Sequence, residues 1–297
     1  MKTVIIIAGP TAVGKTSVAI SVAKQLGTEI ISADSRQCYK EMNIGVARPS
    51  EEELAEVKHH FIASHSVHQN VNAATFEQYA LEKCKEIFSK YDVTVMVGGT
   101  GLYIKAFCDG LDEMPDIPIQ VRNEINDQYR QHGLTWLQEQ VQNLDEEFYL
   151  KADIQNPHRL IRALEVKKAT GRSILDYRKG AKATRDFKIE KIALELPKEL
   201  LHQNINNRVD HMMEIGLLEE VQSLLPYQQL NALQTVGYKE LFTYFSGEIT
   251  LSEAVEDIKK NTRQYAKRQM TWFRKDKEYQ WLDPRDVDTI CKLLINN

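Results

Sequence analysis

The sequence predicts an α/β fold, a parallel sheet core wound with helices and carrying an inserted helical subdomain. Three observations predict it. Apolar runs at residues 3–8, 29–32 and 93–97 alternate with helical patterns at 16–26 and 74–90, the rhythm of strands joined by crossover helices. A glycine-rich loop follows the first run directly, at the edge of a parallel sheet where ligands bind. Between about 112 and 184 only helical segments occur, and a strand pattern returns at 188–196.

The elements follow in order. Residues 3–8 form a nearly continuous apolar run, as expected of a strand covered on both faces. The helix at 16–26 has Val18, Ala19, Val22, Ala23 and Leu26 on one side and Gly27 as its stop. Glu29 to Ser32 is a short strand that delivers Asp34, Ser35, Arg36 and Gln37 at its end. Residues 40–72 read as loop with a charged helical piece at 50–57. The helix at 74–90 turns Phe76, Tyr79, Ala80, Lys83 and Ile87 to about one face. Val93 to Val97 is the third strand, ending in Gly98-Gly99-Thr100-Gly101. A linker with Gly110, Pro115 and Pro118 opens the insertion, whose helices fall at about 118–131, 133–142, 145–151 and 157–170. Helices resume at about 204–224, 233–245 and 251–274. Two domains are expected: 1–111 with 185–297 as the core, and 112–184 as the insertion.

Bulk properties set outer limits. The 297 residues are 42% apolar, ample for a large core, and no run of 18 apolar residues exists to span a membrane. Formal net charge is −4, so a nucleic-acid partner would have to be met by local charge. The N-terminal strand flows straight into the glycine loop, so a cleaved signal peptide is not expected. Cys38, Cys84, Cys108 and Cys291 lack metal-like spacing and read as reduced thiols of a cytoplasmic protein. A monomer is expected.

Gly9-Pro10-Thr11-Ala12-Val13-Gly14-Lys15-Thr16 has the spacing G-x-x-x-x-G-K-T between a strand and a helix. Its backbone N–H groups and the helix dipole converge on an anion, Lys15 adds a full charge, and the Thr16 hydroxyl suits Mg2+. Most such loops hold ATP or GTP, yet the motif alone does not say what carries the phosphates. The third strand ends without a carboxylate, and the second supplies Asp34. Asp34 is then a magnesium-associated acid, a base facing an acceptor, or a cap on the turn at Ser35.

Further segments join the loop: Asp34-Ser35-Arg36-Gln37-Cys38-Tyr39, Asn43-Ile44-Gly45, His59-His60-Phe61, Gly98 to Tyr103, Arg159 to Glu165, and Lys267-Arg268-Gln269-Met270-Thr271-Trp272. In this order, over about residues 3–275, they resemble the tRNA dimethylallyltransferases, also called tRNA isopentenyltransferases. The resemblance implies a P-loop NTPase-like fold. It implies transfer of a dimethylallyl group from dimethylallyl diphosphate to N6 of adenosine 37, beside the anticodon. On that likeness the loop grips the prenyl diphosphate, Asp34 is the general base, and Arg208 with Lys15, Mg2+ and Thr16 steadies the leaving diphosphate. Thr100 meets Asp34 or the acceptor base, and Ser35, Arg36 and Gln37 lie against an adenine drawn from its stack. His158-Arg159-Leu160-Ile161-Arg162 resembles the family's RNA-contacting stretch, and Arg122 is a further match. The family often has an acidic residue before the Phe where this chain has Thr75, which leaves that loop's role open.

A second basic group is read from spacing. Lys259, Arg263 and Lys267 lie four apart on one helical face, with Tyr265, Trp272 and Phe273 interleaved. Such a stripe would meet RNA phosphates although the total charge is acidic. His59-His60 lacks the further ligands of a metal site. Taken without the resemblance, the residues also admit a small-molecule or nucleotide kinase with the insertion as lid and Arg159, Arg162 and Arg172 as clamp. A non-catalytic RNA-binding module is the remaining alternative.

Overall fold

The structure, a computed structural model, describes residues 1–180 and 182–295. The chain divides into two compact units, Met1–Asp109 with Thr184–Asn297, and Gly110–Ala183. In the first unit the strands are β1 (Thr3–Ala8), β2 (Ile30–Ser32), β3 (His59–His60), β4 (Val93–Gly98), β5 (Lys188–Leu194) and β6 (Gln280–Leu282). They form one all-parallel sheet in the order β3-β2-β4-β1-β5-β6. Its helices are α1 (Lys15–Leu26), α2 (Glu51–Glu56), α3 (Ala73–Phe88) and α4 (Gly101–Asp109). The second unit contributes α5 (Ile119–Leu144), α6 (Glu146–Lys151) and α7 (Pro157–Thr170). Back in the first come α8 (Lys198–Glu214), α9 (Leu217–Ser223), α10 (Tyr238–Phe245), α11 (Leu251–Phe273) and α12 (Val287–Ile295).

Strand β1 explains why the sheet is covered on both faces. Val4, Ile6 and Ala8 point to one side and join a core with Phe76, Phe107, Leu241 and Phe273. Ile5 and Ile7 point to the other and meet Val18, Val22, Ile205 and Leu294. Period-two alternation thus feeds two separate cores, which is why the sequence shows an unbroken apolar run. Each fully buried branched side chain contributes roughly 1.5–3 kcal/mol.

Helix boundaries follow local chemistry. Gly27 closes α1 in the left-handed conformation, its N–H reaching the Ala23 and Lys24 carbonyls. Helix α3 starts with a capping box: Asn72 Oδ1 accepts from the amides of Ala74 and Thr75, and the Thr75 hydroxyl accepts from the Asn72 N–H. Thr75 therefore closes the box at N3. The helix expected at 204–224 begins earlier, after Pro197, and breaks at Gly216, where φ is +104°. The helices expected at 118–131 and 133–142 are the two limbs of α5, which bends at Gly133 with φ +73°. Strand β3, helix α4 and the C-terminal β6–α12 pair have no counterpart in the sequence reading.

The second unit has its own core of Ile125, Leu137, Val141, Phe148, Leu160, Leu164 and Ile174. Inside it Glu165 is 5% exposed and is paired by Arg122 at 3.3 Å and Arg162 at 3.2 Å. Two cations around one buried carboxylate are what such burial requires.

Candidate active site

The sheet's C-terminal edge collects the site. The glycine loop leaves β1, the Asp34 segment leaves β2, and Gly99-Thr100 leaves β4. Because β4 lies between β1 and β2, its end can touch both others.

Loop geometry is that of an anion cradle. Gly14 (φ +100°) is left-handed, and so is Ala12 (φ +63°), where a non-glycine residue is strained. At Gly9 a Cβ would come within 2.8 Å of the Leu194 carbonyl oxygen on β5, so only glycine fits. Asn204 Nδ2 donates to the Ala12 carbonyl at 3.3 Å and supports the strained residue from α8. Arg208, one turn further along α8, reaches the Thr11 hydroxyl at 3.5 Å. The Lys15 ammonium folds back onto the Pro10 carbonyl at 2.6 Å. Its pKa is lowered to about 7, chiefly by burial and next by the Arg208 charge, with Asp34 opposing the drop. Burial also lowers that of Arg208. Two half-buried basic groups held together at the loop describe a site suited to an anion. A cleft of about 420 Å³ opens beside the loop, lined by Gly14, Asn204, Arg208 and Arg285 among others.

Asp34 uses its two oxygens differently. Oδ1 accepts from the amides of Arg36 at 2.8 Å and Gln37 at 3.2 Å. That is the turn cap weighed above, and it fixes the carboxylate's orientation. Oδ2 accepts from none of the described residues. Thr100 Oγ1 accepts from the Ser35 amide at 3.0 Å and donates to Ser35 Oγ at 3.3 Å. It therefore holds the Asp34 turn through Ser35 instead of touching the carboxylate, as the sequence reading had one option. Burial, with the Asp34 charge beside it, pushes the Tyr265 phenol up to about 12. Gln37 faces inward: Nε2 donates to the carbonyls of Val46 at 3.3 Å and Ala47 at 2.8 Å, and Oε1 accepts from Ser32 at 3.3 Å. Its side-chain amide thus ties residues 46–47 to the Asp34 turn.

Gln269 was quoted above within a motif but given no role. Its side chain is 6% exposed and spans the site. Oε1 accepts from the Thr11 amide at 2.9 Å, and Nε2 donates to the Gly99 carbonyl at 3.0 Å. One amide group thus ties the phosphate loop to the turn that carries Thr100. A Cβ at Gly99 would lie 2.3 Å from Gln269 Nε2, so a larger residue would displace the bridging amide. A polar residue on the apolar face of α11, between Ala266 and Phe273, was the available signal.

The two basic groups fare differently. Lys259 is not part of an open stripe: its side chain is 14% exposed and pairs with Asp210 at 2.8 Å and Glu256 at 3.1 Å. Arg263 donates to Asn206 Oδ1 at 2.6 Å. Both point at α8, whose polar residues absorb them. Lys267 and Arg268 are exposed, and the Arg268 guanidinium stands 5.7 Å from the Tyr265 ring centre. In the second unit His158 and Arg159 are exposed at the start of α7, and Ile161 is half-buried. Leu160 is fully buried and packs in that unit's core. Arg122 and Arg162 keep partial exposure while holding Glu165. His60 Nε2 meets Glu29 at 2.6 Å and His59 Nδ1 the Val57 carbonyl at 2.8 Å, which is loop packing. All four cysteines are free and buried.

An anion-cradle loop and a carboxylate at one edge of a P-loop NTPase-like parallel sheet are the arrangement expected of a group-transferring enzyme. A family model described as IPP transferase matches residues 37–276. The chain is 50% identical over 277 residues to the tRNA dimethylallyltransferase of Christiangramia forsetii, covering 93% of this chain and 92% of that one. It is 44% identical to that of Flavobacterium johnsoniae, over 100% of this chain and 98% of the other. Among solved structures, the tRNA isopentenylpyrophosphate transferase of Bacillus halodurans superposes with a TM-score of 0.74 at 32% identity, covering 100% and 96% of the two chains. A eukaryotic dimethylallyltransferase caught acting on tRNA gives 0.77 at 25% identity, over 97% and 75%. The chain belongs to the IPP transferase family, the tRNA dimethylallyltransferases.

Proposed function

We propose that this enzyme transfers a dimethylallyl group from dimethylallyl diphosphate to N6 of adenosine 37 in tRNA and releases diphosphate. The observation that carries the proposal is the Gln269 bridge, which joins the phosphate loop to the Gly99-Thr100 turn and through it to Asp34. Donor and acceptor ends of one displacement are thereby held in register, and such registration can supply a large share of a barrier.

The chemistry follows from the residues. The adenine amine is a weak nucleophile because the ring draws on its lone pair. As the N6–carbon bond forms and the allylic C–O bond breaks, Asp34 Oδ2 takes the N6 proton. Charge gathers on the departing diphosphate, where the loop N–H groups, Lys15 and Arg208 stabilise it. Loss of one such donor costs about 3 kcal/mol in the transition state. Magnesium fits the residues present: among the described residues nothing engages the Thr16 hydroxyl, and Mg2+ accepts one protein ligand beside phosphate and water oxygens. Thr16 would hold the ion, which when bound offsets diphosphate charge. Arg36, Lys267 and Arg268, with His158, Arg159 and Arg162 of the helical unit, are the side chains we assign to the tRNA. We take the enzyme to be a cytoplasmic monomer; among the described residues no helix is long and apolar enough to cross a membrane.

Mixing the enzyme with unmodified tRNA, dimethylallyl diphosphate and magnesium, without ATP, tests the proposal. Mass analysis of the digested RNA is expected to show one C5H8 addition, on the fragment holding adenosine 37. ATP turnover onto a hydroxyl acceptor, with no prenylated nucleoside, would refute it.

A further inference from the structure

The Asp34 turn is anchored by residues of α9 and α10, outside the site described above. Residues 33–50 contain no helix and no strand, so an ordinary loop of this length would be loose. Here one carboxylate gathers three consecutive amides. Glu220 Oε2 accepts from Asn43 N at 3.0 Å and Ile44 N at 2.7 Å. Glu220 Oε1 accepts from Gly45 N at 3.0 Å and from the Tyr238 hydroxyl at 2.6 Å. Glu220 stands on α9 and Tyr238 opens α10, fully buried. Successive N–H groups converging on an anion make a nest, and hydrogen bonds to a charged acceptor are about twice as strong as neutral ones. The fit is tight: a Cβ on Gly45 would lie 2.6 Å from the Tyr238 ring.

From the nest the connection runs straight to the carboxylate. The next two residues, Val46 and Ala47, offer their carbonyls to Gln37 Nε2. Arg48 gathers the carbonyls of Tyr39, Lys40 and Met42 with a single nitrogen and closes the loop on itself. Gln37, so fixed, donates its backbone N–H to Asp34 Oδ1 at 3.2 Å. We propose that Glu220 is a positioning residue for the transfer, setting the pose of Asp34 by latching residues 43–45 to α9 and α10. The proposal rests on the prenyl-transfer reading for its kinetic consequence and on geometry alone for the latch.

The phosphate loop has supports of its own in Asn204 and β5. A fault in the latch should therefore strike the acceptor side only. Glu220→Gln keeps shape but turns one accepting oxygen into a donor, which must face an N–H or the Tyr238 hydroxyl. In single-turnover assays its transfer rate is expected to fall about 10- to 100-fold, the scale of an ångström of misplacement. The KM for dimethylallyl diphosphate should stay within about twofold. Amide hydrogen exchange should speed up in 43–48 and also in 34–37. Tyr238→Phe, which removes one of the four bonds, should show the same pattern more weakly, and it decides the matter if Glu220→Gln does not fold. Exchange quickened in 43–48 alone, or an unchanged transfer rate, overturns the proposal. Wild-type enzyme that fails to prenylate tRNA would instead sink the reaction assignment, and the exchange data would still report on the latch.

Discussion

Binding of the donor should draw a proton onto Lys15. In the empty loop that ammonium has its pKa lowered to about 7 by burial first and by Arg208 second. At pH 8 about nine-tenths of the molecules then carry a neutral Lys15. A diphosphate in the cradle supplies the missing anion and restores the charged form. Calorimetry at pH 8 in buffers of different ionisation enthalpy should therefore reveal uptake of about 0.9 proton per diphosphate. Affinity should decline by about tenfold per pH unit above 7, because the protein must then capture a scarcer proton. The same depression acts on folding. The unfolded chain binds more protons between about 7 and the ordinary lysine value, so stability of the empty enzyme should rise with pH across that window. Lys15→Arg stays charged throughout and separates the lysine from the ligand's own titration. Equal proton counts and equal pH slopes in wild type and Lys15→Arg would refute the reasoning.

Other expectations concern the bridge and the RNA face. Gln269→Glu keeps the acceptor for Thr11 but sets a carboxylate against the Gly99 carbonyl and beside the anion cradle; the transfer rate should fall by about 100-fold and diphosphate affinity should also fall, read by single-turnover kinetics and titration. Lys267→Ala with Arg268→Ala should weaken tRNA binding across sequences and flatten its salt dependence, whereas Lys259→Ala should leave the salt slope unchanged and lower thermal stability through its lost pairs to Asp210 and Glu256.

The core of the fold could be read because its signals are local. An apolar run, G-x-x-x-x-G-K-T and a helix with a glycine stop place β1, the loop and α1 with no reference to the rest of the chain. The Gly98-Gly99 pair likewise announced close backbone approach, and a Cβ on Gly98 would in fact meet the Ala33 carbonyl carbon at 2.5 Å. What escaped depends on partners far along the chain. Helix α4 is nearly all apolar over Leu102 to Cys108, a stretch whose periodicity cannot separate helix from strand. Strand β3 is two residues long. Lys259, Arg263 and Lys267 share a face by spacing, but only the packing of α8 decides that Asp210 and Asn206 take the first two. Leu160 sits among exposed His158 and Arg159 and half-exposed Arg162, and motif likeness alone cannot tell its buried side chain from theirs. Gln269 and Glu220 act on residues 258 and about 176 positions away, which no local pattern encodes.

Asp34→Asn is the most direct probe of the whole account. The variant keeps the side-chain oxygen that accepts the Arg36 and Gln37 amides, so the turn should survive, and it loses the basic carboxylate. With tRNA and dimethylallyl diphosphate both shown to bind, single-turnover prenyl transfer should be slowed by about 10²- to 10⁴-fold. A variant that binds both partners and still transfers the prenyl group at the wild-type rate would contradict it.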